Sequence, residues 1–436
     1  MKIAKAKYSL KKALKQVTTS IAFYPILITF SLLVFSWITT YLDKIFVGSF
    51  LVDKVPYLRI DNADTASSLL SSLLTGLISL VTFTFTMVMV VLTQVTSSFS
   101  PRLLPDLISE KGSQIVLGII MGTIFYIIVV LSNIGTMISG PEVPVLSVFI
   151  SMFLGFTSLL SFIYFIHKIS NQVQIGNILN DIYLTTRNAL SREIESDCYF
   201  KEWEEPGNFR LVKAWDSGYF DSITEKEFLR EAKKLGLTIR LRKVQGLYLL
   251  KGEPFLEINQ PLNDKIRRIL EENILLRHQE MVMENFLYGF KHLTEVAVKA
   301  LSPSVNDPGT AIQAINYLLD LLCRLQQLDG QKVVKKDDGA TGIMYAPIQF
   351  DKVFYLCTSS IRAYSSQDVT VQATLIYLIS KVSERDEEKK YQQLYMQELD
   401  AIEETSTKNV DSQADIDHIK RILDKVRKKY HLSSYL

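Results

Sequence analysis

Cysteine and histidine are scarce in this chain, and charge is nearly missing from its first third. Among 436 residues there are three cysteines and five histidines. Cys198, Cys323 and Cys357 are odd in number and lack metal-ligand spacing, so three reduced, partly buried thiols are expected in place of a disulfide framework. Basic residues number 48 against 46 acidic, a net charge of +2. That balance lacks the positive excess a nucleic-acid partner requires. No glycine-rich phosphate loop, GxSxG elbow or HExxH pair occurs, so neither an enzyme nor a cofactor or metal site is expected.

Charge is distributed unevenly. Between Gln16 and His167 it appears only in short clusters, whereas the rest of the chain is densely charged. A bilayer core of about 30 Å needs about 20 apolar residues in a helix. Four stretches meet that length, at residues 19–42, 67–97, 114–138 and 145–167. The expected organisation is a transmembrane domain over 1–168, a helical connector over 169–205, a small α/β module over 206–260 and a helical domain over 261–436.

Six lysines (Lys2, Lys5, Lys7, Lys11, Lys12 and Lys15) precede the first span. By the positive-inside rule they place the N-terminus in the cytoplasm, and four spans return the chain there. No small-residue cleavage site follows the first apolar run, so it reads as a retained anchor. The expected location is the bacterial inner membrane, multi-pass, with the large C-terminal domain in the cytoplasm. The turn Gly140–Pro144 suits an antiparallel hairpin of the last two spans.

The second apolar run is unusual in its hydroxyls. Ser68, Ser72, Thr75, Ser79, Thr82, Thr86 and Thr93 recur at a period of about 3.5, which puts them on one stripe of a helix. The run is uncharged over about 37 residues, or roughly 55 Å as one helix, longer than the hydrocarbon layer. Pro101 and Pro105 should end it. Small and hydroxylated side chains favour helix packing, but the same stripe in several copies would line a water-filled path. Gln94 near the inner end reads as a constriction or a packing contact. Asp61 and Asp64 precede the helix and would concentrate cations at an outer mouth.

In the charged half, "HKISNQVQIGNILNDIYLTTRNALSREIES" keeps helical periodicity and reads as a continuation of the fourth span. "FRLVKAW" suggests a strand, and "TEKE" at Thr224–Glu227 a capping box. "LTIRLRK" and "GLYLLKG" alternate about Gln245-Gly246 as a hairpin would. From Asp264 the pattern is helical almost to the end. "ALSPSVNDPGTA" interrupts it, with Asp307 suited to an N-cap and Pro308 to the first helical position. The C-terminal amphipathic helix has Ile416, Ile419, Ile422, Leu423 and Val426 on one side.

The run "ALSPSVNDPGTA", together with "QVTSSFSPRLLPDL" after the second span, resembles a bacterial predicted-membrane-protein family defined by a domain of unknown function. The resemblance implies four spans, a cytoplasmic domain and an LSPxxNDPxTA signature, carried here by Ser302, Pro303, Asn306, Asp307, Pro308 and Thr310. It further implies an Arg and an acidic residue on one helix before the signature, nearest to Arg277 and Glu284, with His278 departing from a usual threonine. It implies no reaction.

These features lead to one expectation: a homo-oligomeric, cation-conducting channel whose second span lines the pore and whose cytoplasmic domain assembles or gates it. Its partners would be the lipid bilayer, copies of itself and inorganic ions. The alternative is a non-conducting membrane sensor or scaffold that binds a ligand or partner through its cytoplasmic domain.

Overall fold

The computed structural model describes residues 22–45, 62–98, 111–135, 143–172, 174–196, 198–200, 208–277, 285–328, 331–335 and 342–433. They form two compact units that divide at Gln174/Ile175.

The first unit is helical: α1 (Phe23–Ile45), α2 (Ala63–Ser98), α3 (Lys111–Asn133) and α4 (Val145–Gln172). Among the described residues, four helices are long and apolar enough to cross a membrane: Phe23–Asp43, Ala63–Val90, Gly112–Asn133 and Val145–Ile169. α3 is the central helix. It packs closely on α1 and on α4, and Val116, Ile120, Tyr126, Ile127 and Val130 are buried there. Glycine makes the α1–α3 approach possible. A methyl group at Gly122 would come 2.5 Å from a Leu32 side-chain carbon, and one at Gly118 would come 3.1 Å from the Pro25 backbone.

Polar groups staple α1, α3 and α4 together. Thr39 on α1 and Tyr126 on α3 share a hydrogen bond of 2.7 Å, and the Ser158 hydroxyl on α4 donates to Thr123 on α3 at 3.1 Å. In a hydrocarbon surround such bonds have no water to compete with them. α2 is peripheral. Its inward residues Ala66, Leu70 and Leu77 are buried. Leu73 lies against Gly155, and the Phe83 ring meets Phe162 edge-on at 5.8 Å.

The second unit opens with α5 (Ile175–Ile194). The expected continuous helix is therefore two helices, α4 ending at Gln172 and α5 beginning at Ile175. Ile178, Leu179, Ile182, Thr186 and Leu190 give α5 a buried stripe at helical spacing.

The strands that follow are β1 (Tyr199–Phe200), β2 (Arg210–Lys213) and β3 (Gly218–Ile223). After α6 (Glu225–Ala232) come β4 (Ile239–Leu241), β5 (Tyr248–Leu249) and β6 (Pro254–Ile258). Next are α7 (Asp264–Asn273), β7 (Ile274–Arg277), α8 (Leu287–Ala300) and α9 (Pro308–Leu325). β8 (Gln331–Lys335), β9 (Gly342–Met344), α10 (Phe350–Tyr364), α11 (Val369–Glu384), α12 (Gln392–Asn409) and α13 (Gln413–Ser433) complete the chain.

Six strands form one sheet in the order β1-β8-β9-β4-β6-β2, and three form another in the order β5-β3-β7. The sheets draw strands from both sides of residue 260, because β8 and β9 join the larger sheet and β7 the smaller. β4 runs antiparallel to β6, with Ile239 opposite Ile258, and parallel to β9, with Ile239 opposite Ile343. The hairpin expected about Gln245-Gly246 does not form. β5 crosses instead to β3, with Tyr248 opposite Tyr219. Local alternation identified the strands but carried no information about which sheet each joins.

The capping box is also revised. α6 starts where expected, but Thr224 makes no side-chain cap. Its hydroxyl donates to the Asn273 carbonyl oxygens of backbone and side chain, at 3.2 and 2.9 Å, and so ties α6 to the end of α7.

Phe220, Phe228, Leu237, Ile239, Phe255, Leu256 and Ile258 make the core of the strand region. α8 is the centre of the helical part. Phe290, Leu293, Val296 and Ala297 are buried where α8 meets α5, α9 and α10. α13 packs on α11 and α12 through Ile416, Ile419 and Leu423. Its Lys429 reaches Glu384 at 2.7 Å.

Candidate functional site

α2 carries the hydroxyl stripe over 36 residues. Asn62 accepts from the Asp64 backbone nitrogen at 2.8 Å, and Asp64 stands in the first turn, where a carboxylate complements the helix dipole. Ser68, Ser72, Thr75, Ser79, Thr82, Thr86 and Thr93 are all exposed on this chain. The opposite face, Ala66, Leu70, Leu77 and Thr84, is the buried one. The stripe thus points away from the helices of its own bundle.

The hydroxyl hydrogens are committed. Ser72, Thr75, Ser79, Thr82, Thr86 and Thr93 each donate to the carbonyl four residues earlier, at 2.9–3.0 Å. Such back-bonding satisfies the donor inside the helix. Each oxygen keeps acceptor capacity that faces outward. A row of oxygens with occupied hydrogens offers lone pairs, the group that replaces water around a cation. At the N-terminal end, Asp64, Thr65, Ser68, Leu69 and Ser72 line an open depression of about 530 Å³. Asp61, the Gln94 side chain, Pro101 and Pro105 lie outside the described residues.

A charged group inside the first unit escaped the sequence reading. Asp43, 3% exposed at the end of α1, caps α4 from more than a hundred residues away. Its carboxylate accepts from the Leu146 and Ser147 backbone nitrogens at 3.0 and 2.9 Å and from the Ser147 hydroxyl at 2.6 Å. Its partners are remote in sequence, so the acid at the end of a span was the available signal.

The signature residues form a helix-to-helix corner. Leu301 closes α8. The Ser302 hydroxyl donates to the Lys299 carbonyl at 2.7 Å, and the Ser302 carbonyl accepts from Val305 and Asn306. Asn306 takes the left-handed conformation (φ 47°), which asparagine tolerates better than most residues. Asp307 then caps α9. Its carboxylate accepts from the Thr310 backbone nitrogen at 3.1 Å and from the Thr310 hydroxyl at 2.5 Å, with Pro308 in the first turn. The Thr310 hydroxyl, with the Thr310 and Gly309 nitrogens, lowers the Asp307 pKa below the ordinary value. Ser302, Asp307 and Thr310 have side-chain partners within the turn, and Asn306 is held there by its backbone nitrogen.

Arg277 lies on strand β7 and not on a helix, and it pairs with the fully buried Asp221 of β3 at 2.8 Å. Glu284 and His278 lie outside the described residues. His292 is buried on α8, with Glu295 at 3.5 Å. Among the described residues, no group of three His, Cys, Asp or Glu side chains could hold a metal ion. The three cysteines are free, and burial raises the Cys357 thiol to about 12, which keeps it protonated and unreactive.

Sequence comparison agrees with this architecture. Residues 18–381 match the family model described as predicted membrane protein (DUF2254). An uncharacterized protein of Mycobacterium bovis and two from Mycobacterium tuberculosis strains are each 25% identical over 303 residues, covering 66% of this chain and 58% of the relative. The chain thus spans little more than half the length of these relatives. No solved structure matches it. With four apolar helices ahead of an α+β and helical unit, and a match over most of its length, the chain belongs to the DUF2254 family of predicted membrane proteins.

Proposed function

We propose that this protein is a homo-oligomeric ion channel that conducts cations along the hydroxyl stripe of α2. The observation that supports the reading is the direction of that stripe. It is turned away from the subunit's own helices along the whole span, so its neighbour lies outside the subunit. One subunit of four spans leaves little room for an internal conduit, so conduction needs several copies about an axis. Outward oxygens with committed hydrogens favour cations over anions, and Asp64 adds negative charge at the mouth. The lysine-rich residues before α1 support a cytoplasmic N-terminus, and with it a cytoplasmic second unit, in a bacterial inner membrane. That unit would assemble or gate the pore.

A second reading is a non-conducting sensor or scaffold that uses the stripe as a dry seam between copies. Back-bonded hydroxyls favour it, since they require no water.

Purified protein in planar bilayers tests the first reading. It should pass current, and Thr75→Phe, Ser79→Phe and Thr82→Phe should change it. Unaltered conductance across the series removes the pore assignment. Cysteines placed singly along α2 separate the two readings, since aqueous reagents would modify them with helical period in a pore and leave them untouched in a seam.

A further inference from the structure

We infer that a rigid apolar tip on the second unit, formed by Leu247, Tyr248 and Leu250, seats in the headgroup layer of an anionic bilayer. These side chains are 49, 51 and 62% exposed, and they cluster within four residues of one loop and edge strand. Exposed Leu residues scattered singly would need no explanation, but a contiguous group does.

Much of the tip's backbone is already paired. Gly246 N donates to the Phe220 carbonyl and Leu247 O accepts from Phe220 N. Leu250 N donates to the Glu253 carboxylate at 3.1 Å and Lys251 N to the Ser217 hydroxyl at 2.9 Å. Gly252 (φ 87°) closes the turn, donating to the Ala214 carbonyl. Each such pair lowers the cost of bringing the loop into the headgroup layer. Strand addition by another chain is disfavoured because β5 has two residues and turns away at once.

Charge and tether select lipid. Lys251 stands beside Leu250 at the tip, while Lys243 is held by Glu253 at 2.8 Å and Arg242 by Glu257 at 3.1 Å. Tyrosine beside lysine is the composition of a membrane interface, and basic side chains there are drawn to anionic lipid. Tyr248 is braced edge-on by Tyr219, with centroids 5.1 Å apart. The second unit starts within three residues of the end of α4, so the chain itself keeps the bilayer at high effective concentration. The inference stands independently of conduction.

Full-length protein carrying Cys198→Ser, Cys323→Ser and Leu250→Cys, labelled with an environment-sensitive NBD probe, tests it in nanodiscs of phosphatidylcholine and phosphatidylglycerol. Cys357, 1% exposed, stays in place. Leu247→Cys serves as a second probe site, and Asp417→Cys, exposed on α13, as the control. The tip probes should emit to the blue of the control and lose most emission to brominated acyl chains, while iodide in solution leaves them bright. Lys251→Glu should weaken the bromolipid quenching. Quenching by iodide without bromolipid quenching would place the tip in water, and protection from both would place it against protein. Either outcome overturns the inference, and unchanged quenching in Lys251→Glu overturns its anionic part.

Discussion

The Ser147 hydroxyl lies 2.6 Å from the Asp43 carboxylate, which joins the end of the first span to the start of the fourth. Two backbone nitrogens of α4 complete the contact, so the buried charge sits on a helix N-terminus. Asp43→Ala leaves those groups without an acceptor and should cost about 1–3 kcal/mol. Asp43→Asn keeps one carbonyl acceptor and should recover part of the loss, and Ser147→Ala should cost less than either. Thermal unfolding of detergent-solubilised protein measures the order.

Asp307 and Thr310 give a pH-dependent prediction. The cap holds the folded carboxyl pKa below its unfolded value of about 3.9, chiefly through the Thr310 hydroxyl. Its stabilisation is therefore complete above that value and is lost as pH falls through the lower folded one. Asp307→Ala should cost about 1 kcal/mol at neutral pH, the usual worth of an N-cap. Thr310→Val, which keeps the shape and removes the hydroxyl, should reduce the acid sensitivity of the melting temperature. An identical pH profile would show that the hydroxyl bond does not govern the cap.

Gly289 marks the closest approach of α8 to α5. A methyl group there would lie 1.8 Å from the Thr186 hydroxyl oxygen and 2.6 Å from its methyl carbon. Alanine has the better helix propensity by about 1 kcal/mol, yet the clash should dominate and Gly289→Ala should destabilise by about 1–3 kcal/mol. Thr186→Ala in the same chain should relieve part of it, a coupling that a double-mutant cycle in denaturant reads directly.

Lys332 joins three elements. Its ammonium lies 2.7 Å from Glu193 on α5 and 3.4 Å from Glu225 on α6, over the Tyr345 ring. Burial pulls its pKa down, but the two carboxylates outweigh that and leave it raised. The contribution is thus complete below the unfolded lysine pKa of about 10.4 and is lost as pH rises through the folded value. Lys332→Met should cost about 1–3 kcal/mol at neutral pH and flatten the alkaline limb of the stability profile. An alkaline limb matching that of the unaltered protein would assign it to other groups.

Much of the fold was legible because its signals are local. Four apolar runs are long enough to span a bilayer whatever surrounds them. The 3.5 period of Ser68 to Thr93 implies one stripe on any straight helix. Asp307 and Pro308 act within a single turn, so their role as cap and first helical residue was readable from order alone. The corner gives the Ser302, Asp307 and Thr310 side chains partners no more than three residues away.

The remainder depended on contacts between distant residues. Alternation marked β4 and β5 as strands, but their partners are β6, β9 and β3, chosen by where the chain returns in space. Thr224 had the residue type and spacing of a cap, yet its hydroxyl went to Asn273, 49 residues away. Asp43 finds its partners only when the start of α4 is brought to it. The same holds for the stripe. Its existence follows from spacing, but its outward direction follows from Ala66, Leu70 and Leu77 having an apolar bundle to bury against, and burial belongs to the assembled helices rather than to any one of them.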